Sequence, residues 1–205
     1  MMQLTYRDIH YSTQTSNSVP YEGFAQSVQL ILDENRRVLN ETVYAALEQL
    51  AQAITEANRI FVFGGGRSGL VMRMTAMRLM HLGRQVYVVG ETITPAIARG
   101  DLLITCSGSG NTGSVCAMAA TAKTIGAQLA VITANKTSPL AALADLTVEL
   151  AAATKHEQEA ARSQQFAGSL FEQSTLLLLD ALFHGLSRTL NKSTQTLWAM
   201  HTNLE

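Results

Sequence analysis

The chain has 205 residues, of which 47% are hydrophobic, and carries 15 Lys and Arg residues against 16 Asp and Glu residues. Such a chain can bury a large core, and its near balance of charge argues against a general nucleic-acid binder, which needs a basic surplus. No apolar run is long enough to span a bilayer and the N-terminus lacks a signal-peptide pattern, so we expect a cytoplasmic protein without a membrane partner. The two cysteines, Cys106 and Cys116, are too few for a disulfide framework, and no Cys and His spacing indicates a metal site.

The N-terminal quarter predicts an extension followed by helices. Residues 1–20 are polar without a clear period, and we expect them to form a partly disordered extension to a single domain over residues 21–205. Between Gly23 and Asn58 apolar residues recur at helical spacing, which predicts two or more helices with Asn40 as a cap between them.

After these helices, apolar runs of strand length alternate with helical patterns. The predicted strands are, in chain order, "RIFVFGGG", "QVYVVG", "DLLITCSGSG", "AQLAVITA" and "DLTVEL". Two of the intervening helices end at the C-cap glycines Gly83 and Gly126, and two further helices cover about 168–190 and 194–201. The alternation predicts an α/β fold, with a five-stranded parallel sheet flanked by helices.

Two glycine-rich stretches, "GGGRSG" (64–69) and "SGSGNT" (107–112), each lie between a predicted strand and a predicted helix. Because ligands bind beyond the carboxyl ends of parallel strands, we expect both stretches to face one crevice. In the second stretch the glycines expose backbone N–H groups, the hydroxyls of Ser107, Ser109 and Thr112 can bind phosphate oxygens, and the helix N-terminus favours an anion. No lysine follows as in a P-loop, so the expected ligand is a single phosphate monoester. The alternative is that Ser109 or Thr112 only caps the helix.

The first stretch also has an alternative ligand. Gly64, Gly66 and Gly69 have the spacing of the G-x-G-x-x-G dinucleotide fingerprint. The acidic residue that would hold the ribose is not obvious, although Glu91 is a late candidate for it. On this pattern NAD competes with a phosphorylated sugar.

Several motifs resemble one family. They are "GRSG" (66–69), "AMRLMHLG" (76–83), "VGETITP" (89–95), "SGSGNT" (107–112), "GSLFEQ" (168–173) and the closing "HTNLE" (201–205). In this order they resemble the SIS (sugar isomerase) proteins, and within them the 6-phospho-3-hexuloisomerases, over most of the chain. The resemblance implies a SIS domain, which is a flavodoxin-like three-layer sandwich.

The resemblance also implies a reaction and an assembly. The reaction is the isomerisation of D-arabino-hex-3-ulose 6-phosphate to D-fructose 6-phosphate by enediol proton transfer, as in formaldehyde fixation, without a metal or nucleotide cofactor. The assembly is a homotetramer with sites near subunit interfaces. Together the pattern and the resemblance give nine predicted phosphate-binding residues, which are Gly64, Arg67, Ser68, Ser107, Gly108, Ser109, Gly110, Asn111 and Thr112.

The catalytic residues implied by the resemblance are Glu172 and His201. Moving a carbonyl from C3 to C2 needs a base, and Glu172 opens an otherwise apolar helix where burial would make a carboxylate a stronger base. The alternative is that Ser169 and Glu172 form an S-x-x-E capping box. His201 could shuttle protons between the two oxygens as a neutral imidazole, and its terminal position suggests a site on a neighbouring subunit; the alternative is an exposed histidine.

Other titratable residues have plainer interpretations. Lys155 is a candidate partner for the substrate's charge but is better read as a surface cation, and Glu159 is a reserve base. His81 is interpreted as a packing histidine, and Cys106 as a buried structural thiol because no base lies near it in the pattern.

Two positions depart from the family. Asn111 stands where the family commonly has glutamate, and Phe166 stands where it often has proline. The alternatives to the leading function are an isomerase for another sugar phosphate, such as arabinose 5-phosphate, and a non-catalytic sugar-phosphate sensor. A sensor would need no base, and residues 1–20 are too short for a helix-turn-helix.

Overall fold

The computed structural model describes residues 23–152 and 163–204. The predicted extension over residues 1–20, together with Lys155 and Glu159, lies outside the described residues.

Two helices precede the sheet. They are α1 (Phe24–Val38) and α2 (Glu41–Glu56). Asn40 is the N-cap of α2, and its side-chain oxygen accepts a hydrogen bond of 3.2 Å from the Thr42 N–H. The predicted cap between the two helices is therefore confirmed.

Five parallel strands form one sheet. They are β1 (Ile60–Gly64), β2 (Val86–Val88), β3 (Leu102–Cys106), β4 (Gln128–Thr133) and β5 (Leu146–Glu149). The order across the sheet is β2-β1-β3-β4-β5, and every neighbouring pair is parallel. The predicted five-stranded parallel sheet is confirmed, and its order is that of the flavodoxin-like folds.

The remaining helices connect or follow the strands. They are α3 (Gly66–His81), α4 (Gly113–Ile125), α5 (Pro139–Leu143), α6 (Ser169–Thr189) and α7 (Thr194–Ala199). Gly126 ends α4 at a φ of 89°, and its N–H bonds to the carbonyls of Ala122 and Lys123, as expected of a C-cap glycine. None of the helices in the described ranges is long and apolar enough to cross a membrane.

The core lies on both faces of the sheet. On one face, strand residues such as Val62 and Ile104 pack with Met72 of α3 and Leu178 of α6. On the other face, Phe61, Leu103 and Val131 pack with residues of α4 and α5. Side chains alternate between the faces along each strand, so a nearly continuous apolar run is buried on both sides. The predicted three-layer sandwich is confirmed.

Candidate active site

The candidate cleft lies at the switch point of the sheet, where the helices that follow two neighbouring strands pack on opposite faces. Strands β1 and β3 are neighbours, but α3 packs on one face of the sheet and α4 on the other. The loops that follow these two strands therefore diverge and leave a crevice at the switch point. The cleft has a volume of about 190 Å³, which suits a small ligand rather than a dinucleotide. Its lining residues are Gly65, Gly66, Ser68, Cys106, Ser107, Gly108, Ser109, Thr112, Gly168, Phe171 and Glu172.

The loop between β3 and α4 is held from behind by β4 and the segment after it. The Gly108 carbonyl accepts hydrogen bonds from the Ala134 N–H at 3.0 Å and the Thr133 hydroxyl at 3.2 Å. Gly110 has a φ of 61°, and a Cβ there would lie 2.0 Å from Oγ of Ser138. The loop therefore needs glycine at position 110, and the carbonyls of Gly108 and Gly110 bond to the segments behind the loop.

The other side of this loop offers hydrogen-bond donors. Within the described part of the chain, the N–H groups of Gly108, Ser109 and Thr112 have no hydrogen-bond partner. The Ser107 and Thr112 hydroxyls lie 2.9 Å from each other at the cleft. Unpaired N–H groups beside the start of α4 and a pair of hydroxyls make a seat for an anion.

Neither Ser109 nor Thr112 caps α4 with its side chain. Thr112 occupies the N-cap position, but its side chain makes no capping hydrogen bond. The Ser109 hydroxyl accepts from the Asn111 N–H at 3.3 Å instead of from an amide of the helix. The amides of the first turn of α4 are thus left for a ligand.

The glycines of the β1–α3 loop allow the helix to approach the strand closely. A Cβ on Gly69 would lie 2.5 Å from the carbonyl oxygen of Gly64, and Gly66 has a φ of 56°. This packing explains the glycine spacing without a dinucleotide. Glu91, the residue that an NAD site would need, forms an ion pair with Arg73.

Glu172 is a buried carboxylate in the cleft wall. It is 4% exposed and lies in the first turn of α6. Its Oε2 forms an ion pair with Nε of Arg67 at 3.0 Å. Arg67 also donates from Nη1 to the Ser169 hydroxyl at 3.1 Å. The N-cap of α6 is Gly168, without a side-chain capping bond, so the capping-box alternative for Ser169 and Glu172 is wrong.

Cys106 lies beneath the cleft with a fully buried side chain. Burial raises the pKa of its thiol to about 12, and the nearby Glu172 charge adds to the rise, while hydrogen bonds with Thr175 and Ser68 oppose it. A thiol with this pKa is protonated at neutral pH and is a poor nucleophile. The interpretation of Cys106 as a structural thiol is supported.

His201 lies far from the cleft of its own chain. Its ring stacks on that of His81, with the two centroids 5.5 Å apart, at the C-terminal end of α3. Helix α3 begins at the cleft, so its far end lies about 22 Å away at 1.5 Å per residue. His201 is exposed, and its predicted catalytic role therefore requires the cleft of another subunit.

The structure separates the predicted phosphate-binding residues into two groups. Those that line the cleft are Ser68, Ser107, Gly108, Ser109 and Thr112. Gly64 and Gly110 shape the loops from behind, Arg67 pairs with Glu172, and Asn111 is exposed.

Three other lining residues, Gly65, Gly66 and Phe171, were not among the predicted binding residues. Gly65 and Gly66 could have been found, because they belong to the same glycine run as Gly64. Phe171 could not, because its place depends on a tertiary approach in which a Cβ on Gly108 would lie 3.2 Å from its ring.

The fold defines a parallel α/β protein with a cleft lined by hydrogen-bond donors at the switch point of its sheet. The sequence model of the SIS domain matches residues 53–184, and the chain belongs to this family. The resemblance inferred from the motifs is confirmed.

The sequences of several relatives with a named activity align with most of this chain. A 3-hexulose-6-phosphate isomerase of Mycobacterium gastri is 44% identical over 90% of this chain and 92% of its own length. One of Bacillus subtilis is 40% identical over 77% of this chain and 86% of its own. A Methanococcus jannaschii protein, whose crystal structure is described as inferring a molecular function of 3-hexulose-6-phosphate isomerase, is 33% identical with a TM-score of 0.77. It aligns over 88% of this chain and 99% of that one.

Proposed function

We propose that this chain is a 3-hexulose-6-phosphate isomerase, which converts D-arabino-hex-3-ulose 6-phosphate to D-fructose 6-phosphate. The observation that carries the proposal is a buried carboxylate, Glu172, in the same small cleft as an anion seat. Relatives that bear this activity are about 40% identical over most of the chain. The reaction belongs to the ribulose monophosphate route of formaldehyde assimilation.

The seat formed by Ser107 to Thr112 holds the substrate phosphate. Backbone N–H groups of Gly108, Ser109 and Thr112 and the hydroxyls of the loop donate to its oxygens, and the start of α4 adds a positive dipole end. Ser68 supplies a further hydroxyl from the first turn of α3. Binding the phosphate at one end fixes where the other end of the sugar lies.

Glu172 transfers the proton between the two carbons. The carboxylate takes the proton from C2 of the 3-ketose, which gives an enediol, and returns it to C3, so that the carbonyl comes to lie at C2. Arg67 holds the carboxylate through its Nε and leaves a positive charge beside the developing enediolate. A pure sensor of sugar phosphates would need the serine loop but no buried base.

A homotetramer that acts in the cytoplasm completes the proposal. The outer face of α3 exposes Leu70, Met74 and Met77, and apolar groups in such a row favour burial against another subunit. In an assembly of this kind, His201 reaches the cleft of a neighbour and moves protons between O2 and O3. Residues 21–205 act as one domain in each subunit, since both core clusters share the one sheet.

The proposal is tested by turnover of hex-3-ulose 6-phosphate, coupled to the detection of fructose 6-phosphate. We expect Glu172→Gln to lower kcat by at least about a thousandfold while phosphorylated sugar still binds, because the amide cannot accept the proton. Asp180→Asn is the matched control, since Asp180 lies on the same helix with a side chain that is 51% exposed. No turnover by the wild type, or full activity in Glu172→Gln, would refute the proposal.

A further inference from the structure

A second buried carboxylate, Glu34, lies outside the cleft. It belongs to α1 and is 2% exposed. We propose that Glu34 is a positioning residue, which fixes the segment 163–168 and thereby places Glu172 for proton transfer. This inference rests on the proposed function for its kinetic consequence only.

The Glu34 carboxylate collects three hydrogen bonds from one short segment. Oε2 accepts from the Ser163 hydroxyl at 2.7 Å and from the side-chain amide of Gln165 at 2.9 Å. Oε1 accepts from the backbone N–H of Gln164 at 2.8 Å. A buried carboxylate with this many donors is costly to disrupt, so the segment is held in one position.

Asn35, the next residue of α1, forms hydrogen bonds with α6 itself. The Asn35 side-chain amide donates to the Gln173 side-chain oxygen at 3.0 Å, and its own oxygen accepts from the Ser174 hydroxyl at 2.8 Å. Gln173 in turn donates to the side-chain oxygen of Gln165 at 2.8 Å. The segment that precedes α6 and the residues that follow Glu172 in α6 are thus both bonded to the same turn of α1.

These hydrogen bonds hold the chain on both sides of Glu172, the proposed base. Residues 163–168 lead into α6, and Glu172 lies in its first turn, one residue before the bonded pair Gln173 and Ser174. A displacement of the catalytic group by about 1 Å can cost a hundredfold in rate. Among the described residues, those that bond to Glu34 include none of the phosphate seat, so loss of Glu34 should affect kcat and spare phosphate binding.

The carboxylate is charged at neutral pH. Burial opposes the charge, but the Gln164 N–H, the Gln165 and Ser163 side chains and nearby Arg37 lower the pKa of Glu34 below its ordinary value. Glutamine at this position would have one oxygen acceptor and would turn an NH₂ group toward donors. Glu34→Gln therefore weakens the contact at nearly constant volume.

The test compares Glu34→Gln with Asp33→Asn in the full chain. Asp33 is the neighbouring carboxylate, with a side chain that is 51% exposed, and among the described residues it bonds only within α1. We expect Glu34→Gln to lower kcat per folded protein about tenfold, with KM and inhibition by inorganic phosphate within about twofold. Hydrogen exchange should accelerate over residues 163–172 and stay unchanged over residues 107–112, while Asp33→Asn should match the wild type throughout.

Several outcomes would overturn the inference. They are an unchanged kcat, a loss of activity that only follows the unfolded fraction, a rise in KM with kcat unchanged, and unaltered exchange over residues 163–172. If Glu34→Gln does not fold, Ser163→Ala removes one of the three donors and should give the same kcat and exchange changes to a smaller degree. If the wild type does not turn over hexulose phosphate, the proposed function fails, while the exchange comparison still decides whether Glu34 holds the segment.

Discussion

At the scale of single residues, the ion pair between Arg67 and Glu172 changes the interpretation of the site. The sequence indicated Arg67 as a charge partner for the phosphate or the enediolate, and in the structure its Nε lies 3.0 Å from the Glu172 carboxylate. Arg67 is half-exposed, so water screens its charge, whereas the partner carboxylate is buried. In the proposed site the phosphate therefore meets neutral donors, and Arg67 pairs with the proposed base.

The hydroxyl of Ser109 should contribute to the binding of the phosphate and little to the chemical step. A hydrogen bond to a charged group is worth about 1.5–3 kcal/mol, so Ser109→Ala should raise KM for the sugar phosphate about tenfold or more with kcat nearly unchanged. Ser114→Ala is the control, because Ser114 lies exposed in the first turn of α4 and does not line the cleft. Steady-state kinetics measure both, and an equal KM in the two variants would contradict the seat.

At the scale of elements, the position of the β3–α4 loop depends on glycine. Gly110 has a φ of 61° and packs against the N-cap of α5, Ser138, whereas Gly113 in α4 has nothing within 4 Å of an added Cβ. The two glycines stand three residues apart, and only the first is needed for the conformation of the loop.

Alanine at these two positions should therefore have opposite effects. Gly110→Ala combines left-handed strain with overpacking and should lower the free energy of unfolding by about 2–4 kcal/mol. Gly113→Ala should leave stability equal or slightly higher, since alanine reduces the freedom of the unfolded chain. Urea unfolding followed by circular dichroism measures both, and equal midpoints would show that the loop tolerates a side chain at position 110.

The packing of the C-terminal segment on α3 involves two stacked histidines. His81 is 6% exposed, and its ring stacks on that of His201. The ring centroid of Trp198, in α7, lies 5.3 Å from that of His201. Burial first, and then the charges of His201 and Arg78, lower the pKa of His81 below its ordinary value. The folded protein therefore resists protonation of His81, and the interpretation of this residue as a packing histidine is supported.

Stability should consequently fall in mild acid. Below a pH of about 6.5 the unfolded chain binds a proton at His81 that the folded chain does not bind. The free energy of unfolding therefore falls by up to about 1.4 kcal/mol for each pH unit, until the pH reaches the pKa of His81 in the folded chain. Thermal melts from pH 7.5 to 5 should show a shallower fall for His81→Phe than for the wild type. His184→Gln, which alters an exposed histidine of α6, should keep the wild-type slope. Equal slopes in all three proteins would contradict the prediction.

At the scale of the whole molecule, the order of the strands decides where the site lies. Strand β1 is the second strand of the sheet, with β2 on one side of it and β3 to β5 on the other. Only the loops after β1 and β3 can meet across a crevice, and these are the two glycine-rich stretches. The C-terminal segment, by contrast, lies at the opposite end of α3.

A site shared between subunits should be restored by mixing inactive variants. If Glu172 acts with His201 of a neighbour, Glu172→Gln and His201→Ala each abolish or lower turnover alone. An equal mixture of exchanged subunits should recover about a quarter of the sites, because each residue is intact in half of the chains. Native mass spectrometry checks that mixed oligomers form, and no recovery in them would exclude a catalytic role for His201 at the cleft of a neighbour.

The elements and their order along the chain could be predicted from local patterns of residues. Short apolar runs, the helical period of about 3.6 residues, the Asn40 cap and the glycine C-caps are local signals, since each depends on neighbours within a few residues. The alternation of strands and helices and the two glycine loops then sufficed to predict a parallel sheet with a phosphate cleft. The motifs indicated the family.

Contacts between polar groups that lie far apart in the sequence became visible only in the folded chain. Arg67 pairs with Glu172 because α3 and α6 pack side by side, and Glu34 reaches Ser163 across 129 positions of sequence because α1 lies against the start of α6. His201 stacks on His81 and not at the cleft of its own chain. Periodicity reports which face of an element is apolar, but the partner of a buried charge depends on how whole elements pack, and no local pattern encodes that.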